Sequence, residues 1–388
     1  MQRRDFLSAA LGAGALSLLS PTLAVAAPAA GRYQRLLILI ELKGGNDGLN
    51  TVIPHADPAY YALRPEIGIK PEGLIVLDEK SALHKSLEPL MPLWGGGEMA
   101  IMQGVGYPQP NLSHFRSIEI WDTASKSDEY LQQGWLTRVF KQYPAPQDFS
   151  ADALVVGSAD LGPVAGGARA IALQDPAAFN RNARLAQAMQ TPGGGALAHV
   201  LKVERDIAQA ARSIGTKTPT TRTLKTVFPD SGFGRTCKAA CDTLASAPNI
   251  AVMRLTLGGF DTHQNQLGTH ANLLKQFADG VVALQSALTE LGRWDDALIL
   301  SYSEFGRRPK QNQSAGTDHG TVAPHFAFGG GVQGGMYGHT PSLAELDDSG
   351  NLKHVIDFHS VYATVMERWW ELPSEPLLGA RFPSLGIV

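Results

Sequence analysis

Six near-continuous apolar runs constrain this chain more than anything else in its text. They are RLLILIEL (35–42), MAIMQGV (99–105), ALVVG (153–157), IAVMRLTL (250–257), ALILSYS (297–303) and FAFGGGV (326–332). A strand with one wet face alternates apolar and polar residues, whereas a strand covered on both faces is apolar throughout. Helical text lies between the runs. Leu273, Leu274, Phe277, Val281, Leu284, Leu288 and Leu291 recur close to the helical period. GALAHVLKVERDIAQAARSI reads the same way. DFHSVYATVMERWWEL opens on Asp357, a good N-cap residue, and carries Val361, Val365 and Trp369 along one face. Strands alternating with helices predict an α/β fold with a doubly wound, mostly parallel sheet and helices on both faces. The Gly-, Pro- and Ala-rich stretch near 158–232 reads as a partly helical insertion, so that residues 27–388 form a single domain.

The first thirty residues are a different kind of text. Arg3 and Arg4 precede Phe6 and Leu7, an apolar Gly/Ala-rich stretch follows, and Ala24-Val25-Ala26 offers a small-residue cleavage site. This is the pattern of a twin-arginine export signal over residues 1–26. It implies passage through the twin-arginine translocase and a periplasmic or otherwise exported mature chain. The stretch is short for a membrane span and contains glycines, and no later segment is long and apolar enough for one. The formal charge of −3 and pI near 6.4 leave no basic excess for phosphate-backbone contacts, which excludes nucleic acid as a partner. Cys237 and Cys241, four residues apart on a predicted helix, read as two small buried residues; a disulfide there would be strained.

In open α/β sheets ligands bind beyond the carboxyl ends of the strands. The residues that follow each apolar run are therefore the informative ones. The first run ends in GGNDG, with Asp47. The second leads to NLSHFRS, with Ser113 and His114. The fourth is followed by GGFDTHQNQ, with Asp261 and His263. The fifth is followed by EFGRRP, with Glu304 and Arg307, and the sixth is preceded by GTDHG, with His319. Asp, Glu, His and Ser are the vocabulary of metal ligation and nucleophilic catalysis. Each stretch also has a structural reading. NDG suits a hairpin turn, with LNTVI as the return strand. Ser113 suits the N-cap of a helix through HFRSIEIWDTA. Glu304 and Arg307 suit a surface ion pair. Five turns carrying such residues, most of them at one sheet edge, favour a site.

The combination of the export signal with GGNDGLNT, NLSHFRS, GGFDTHQNQ, SEFGRRP and GTDHG resembles a widespread family of exported bacterial proteins, the domain-of-unknown-function 1501 family. That family is distantly similar to the alkaline phosphatase and sulfatase superfamily. The resemblance covers about residues 33 to 385 and implies an alkaline phosphatase-like fold. It implies one or two divalent ions (Zn, Mn, Mg or Ca) held by Asp47, Asp261, His263, Glu304 and His319. Ser113 takes the place of the nucleophile, with Arg307 or His114 binding the transferred anion. The implied reaction is hydrolysis of a phosphate or sulfate ester. Phe305 stands where the superfamily pattern carries a histidine, which weakens the second metal position. The alternative is a non-catalytic exported scaffold or binding protein that retains the fold.

Overall fold

Neighbouring residues of the first strand face opposite cores, as a strand buried on both sides requires. Leu37 and Leu39 pack on one side with Val155, Val252 and Leu300 against Trp121, Trp135, Phe140 and Tyr362. Leu36, Ile38 and Ile40 pack on the other with Met253, Leu255 and Ile299 against Cys237, Leu244, Leu274, Phe277 and Val281. Each such side chain, fully buried, contributes about 1.5–3 kcal/mol. The computed structural model describes residues 32–174 and 223–388. The export signal, the helical text GALAHVLKVERDIAQAARSI and most of the predicted insertion lie outside the described residues.

The strands in chain order are β1 (Leu36–Lys43), β2 (Val52–Ile53), β3 (Leu74–Val76), β4 (Ala82–His84), β5 (Met99–Gly106), β6 (Ala151–Val156) and β7 (Ala170–Leu173). They continue with β8 (Ile250–Gly258), β9 (Ala297–Tyr302), β10 (Arg307–Gln311), β11 (Thr317–His319), β12 (Ala323–Phe328), β13 (Gly335–Tyr337) and β14 (Ile356–Asp357). The main sheet runs β13-β5-β12-β9-β1-β8-β6-β7, with β14 also on β5. Its pairings are parallel except for those of β12, which is antiparallel to both β5 and β9. Helices cover both faces, Gly232–Ser246 and Gln266–Leu291 on one and His114–Thr123 and Trp135–Gln142 on the other. This is the mixed α/β architecture, with a mostly parallel central sheet, that the alternation of runs predicts.

Two local readings change. After β1 the chain makes a single 3-10 turn, Gly48–Asn50, and β2 then pairs with β4 in a separate small sheet. NDG is therefore not a hairpin turn. The described start of the predicted insertion contributes β7, a parallel edge strand of the main sheet. Cys237 and Cys241 are free thiols buried on the helix Gly232–Ser246. Among the described residues no helix is long and apolar enough to cross a membrane.

The topology decides which loops meet. β1, β5, β8 and β9 point the same way, so the segments after them share one edge. Because β12 runs against them, the segment before it, including β11, reaches that same edge.

Candidate metal centre

At the end of β1 the backbone turns through Gly44 and Gly45 at φ of +118° and +82°. These are left-handed conformations that favour glycine. A Cβ on Gly44 would stand 2.4 Å from the backbone nitrogen of Asp261, and one on Gly45 would stand 2.4 Å from the ring of Phe305. The bare backbone therefore lets the loop after β1 close against those after β8 and β9.

Around this turn four donor side chains converge. Asp261 Oδ1 lies 3.0 Å from His263 Nε2 and 3.2 Å from His319 Nε2. Asp261 Oδ2 lies 3.5 Å from His114 Nε2. His263 Nε2 and His319 Nε2 are 3.1 Å apart. His114, Asp261 and His319 each offer one ligand atom within 4.8 Å of the others. The side chains of Asp261 and His263 are 46% and 43% exposed, so the centre opens to solvent on that flank.

The far edges of three donors are held by other groups. His319 Nδ1 pairs with the carbonyl of Leu112 at 2.8 Å, and His114 Nδ1 pairs with Glu304 Oε1 at 2.8 Å. A carbonyl only accepts, so the first contact fixes Nδ1 of His319 as the protonated nitrogen and leaves Nε2 as a lone pair. Arg307 Nη2 donates to Asp261 Oδ1 at 2.7 Å. The pKa directions follow. Burial alone would raise the Asp261 carboxyl, but hydrogen bonds and charge from Arg307 hold it down to about 2. The Glu304 contact raises His114 against the opposing effect of burial. Burial lowers His319, which favours the neutral, ligating imidazole.

The other expected site residues stand differently. Asp47 is fully buried and paired through Oδ2 with Arg64 Nη1 at 2.6 Å, and it also accepts from the Gln266 amide. Arg64 is itself held by Asn50 Oδ1 at 2.7 Å and by the carbonyls of Pro309 and Arg308. Burial would raise Asp47, yet the Arg64 charge and hydrogen bond hold it below the usual carboxylate range. Among the described residues no hydrogen bond or ion pair joins Asp47 to the four donors.

Glu304 is 2% exposed and receives the Gly44 N–H on both oxygens, at 3.0 and 3.1 Å. Arg307 faces inward with no side-chain exposure. It donates to the carbonyls of Gly44, Gly45, Phe260 and Thr317 as well as to Asp261. Ser113 occupies the N-cap position of the helix His114–Thr123, but its hydroxyl makes no capping bond and the residue is exposed. Phe305 packs its ring against His114 and His319, with centroids 4.8 and 4.6 Å apart. Sequence reasoning missed Arg64 and Gln266 altogether. An arginine seventeen residues after Asp47 carries no motif, and its role depends on the fold.

The family model described as a protein of unknown function (DUF1501) matches residues 97–377. The chain belongs to this family. No curated protein matches it. Solved structures similar to this DUF1501 chain include the C-terminal periplasmic domain of EcEptC from Escherichia coli in complex with Zn, at 11% identity and TM-score 0.36, covering 79% of this chain and 76% of that one. The lipoteichoic acid synthase LtaP from Listeria monocytogenes matches at 9% identity and TM-score 0.34, covering 91% and 74%. The alkaline phosphatase of the Antarctic bacterium TAB5 matches at 12% identity and TM-score 0.31, covering 78% and 94%.

Proposed function

We propose that the chain is an exported metal-dependent hydrolase of phosphate or sulfate esters. The observation that carries this reading is the convergence of His114, Asp261, His263 and His319, with Ser113 next to His114 in the chain, exposed and making no capping bond. The donor set fits a divalent ion. Ligands about 2.0–2.1 Å from an ion in tetrahedral array stand about 3.3 Å apart, and the contacts of Asp261 with the three imidazoles range from 3.0 to 3.5 Å. When bound, such an ion supplies charge that stabilises oxyanions and lowers the pKa of a coordinated hydroxyl or water.

The chain's own residues divide the remaining work. Ser113 Oγ gives its proton to solvent and attacks phosphorus or sulfur, the bond to the ester oxygen breaks and the alkoxide takes up a proton to leave as alcohol; water then attacks the acid group, breaking its bond to Oγ, and Ser113 is re-protonated. The ten-residue helix His114–Thr123 presents its amino end there, favouring negative charge. Arg307 holds Asp261 rather than the substrate. The twin-arginine text at residues 3–4 supports export through the translocase, with the mature chain beginning near Ala27.

The test is direct. Signal-processed protein is analysed for metal and assayed on aryl phosphate and aryl sulfate esters, with and without chelator. Turnover that chelator removes and Ser113→Ala abolishes, with unfolding unchanged, supports the hydrolase. Undiminished turnover in Ser113→Ala ends the nucleophile assignment. One observation favours a second reading, a non-catalytic scaffold: Arg307, the arginine at the centre, is fully buried and engaged. Bound metal without turnover on any ester supports that reading.

A further inference from the structure

We propose that the ion held here is a transition ion of the Zn²⁺ class, bound by His114, Asp261 and His319 with His263 on the open flank. Glu304 is then a positioning residue that acts through His114 and not a ligand. The proposal rests on the metal centre described above and not on turnover.

Donor chemistry comes first. The converging atoms are imidazole nitrogens and the oxygens of one carboxylate. Imidazole suits Zn, Cu, Ni and Fe, whereas Ca²⁺ takes six to eight oxygens and Mg²⁺ prefers carboxylate, phosphate and water. An oxygen-rich cage is not what these loops build. The buried carboxylate at the end of β1, Asp47, already has its cation in Arg64 at 2.6 Å.

Glu304 comes second. Its Oε1 takes the Gly44 N–H and His114 Nδ1, and its Oε2 takes the same N–H and lies 3.4 Å from Ser303 Oγ. Both oxygens are thus turned toward donors of the protein. A carboxylate on Nδ1 of an imidazole fixes the tautomer, aims Nε2 and raises its basicity, and loss of such a partner weakens metal binding about 10–100-fold. His319 receives the same service from the Leu112 carbonyl, two residues before His114. The two ligands are thereby braced from two different loops, His114 from the one after β9 and His319 from the one before the helix His114–Thr123.

The experiment uses the full mature chain stripped with chelator and refilled with Zn²⁺, Mg²⁺, Ca²⁺ or Co²⁺. Calorimetry is expected to show one Zn²⁺ per chain, undisturbed by equimolar Mg²⁺ or Ca²⁺. The Co²⁺ form is expected to show the intense visible bands of a low-coordinate, nitrogen-rich site. His114→Ala is expected to lose the ion. Glu304→Gln, which keeps an acceptor for Nδ1, is expected to bind Zn²⁺ about 10-fold more weakly and to leave the Co²⁺ band shape unchanged. A changed band shape in Glu304→Gln shows that Glu304 was a ligand and overturns its positioning role. Equal preference for Mg²⁺, or weak octahedral Co²⁺ bands in the parent protein, overturns the ion class even if the glutamate variant fails to fold. Zn²⁺ binding without ester turnover removes the hydrolase and leaves this proposal standing. Turnover supported by Mg²⁺ alone does the reverse.

Discussion

Asp122 gives the sharpest test of the electrostatics behind the site. It lies near the end of the helix that begins with His114, is 7% exposed, and has an Oδ1 atom that is buried without a hydrogen-bond partner. Below it Arg254 is divided among Glu41 Oε2 at 2.9 Å, the Tyr302 hydroxyl at 2.8 Å and the Asp160 carbonyl at 2.6 Å. One guanidinium thus serves two buried carboxyls. Burial pushes Asp122 well above the ordinary carboxylate range; Arg254 opposes this, and Glu41, Asp160 and Glu304 add to it. The folded chain therefore keeps a proton that the unfolded chain releases above about pH 4. The resulting stabilisation is complete below that pH and is lost as pH rises through the folded pKa. Between the two values it falls by about 1.4 kcal/mol per pH unit. A carboxamide at this position matches the protonated acid in shape and titrates in neither state. Asp122→Asn should therefore equal the parent near pH 4 and exceed it above, by about 1.4 kcal/mol per unit until the folded acid ionises. For a chain of this length that is roughly 1–1.5 °C in Tm for each kcal/mol. Denaturant titrations of both proteins at a series of pH values measure the gap. A variant less stable than the parent at neutral pH would mean that Asp122 is an ionised partner of Arg254, and would refute the reasoning.

Three further outcomes follow from contacts already described. Arg64→Ala leaves Asp47 buried without its cation and should cost about 3–5 kcal/mol in a denaturant titration; Arg64→Met, which also removes the charge, should be no rescue. Gly44→Ala forces a Cβ at φ +118° to within 2.4 Å of the Asp261 nitrogen. It should cost about 1–3 kcal/mol and weaken Zn²⁺ binding through a displaced Asp261, read by calorimetry. Burial pushes the Cys237 thiol well up and the Cys241 thiol to about 12. Both should resist a thiol reagent in the native protein and react together on unfolding; rapid labelling of the folded chain would contradict their burial.

Much of this molecule was legible in one dimension because burial on both faces leaves a local signature. The runs at 35–42, 99–105, 250–257 and 297–303 are strands because each is too apolar to tolerate a wet face, and Asp357 caps its helix as its type predicts. The loop residues were legible as chemistry only in combination, since each alone suits a turn, a cap or an ion pair. Their division of labour was not. Whether a carboxylate meets an ion, an imidazole or a guanidinium depends on residues far along the chain. Asp47 met Arg64, Glu304 met His114, and Arg307 turned inward to the carbonyls of a glycine turn. Ser113 kept its hydroxyl free where an N-cap bond was the ordinary expectation. The antiparallel course of β12 brought His319 to the edge where the other donors end. Local periodicity reports only what a residue is buried against on average. Direction, partner and charge at the site are pairwise properties, and the chain acquires them only when its distant loops are packed together.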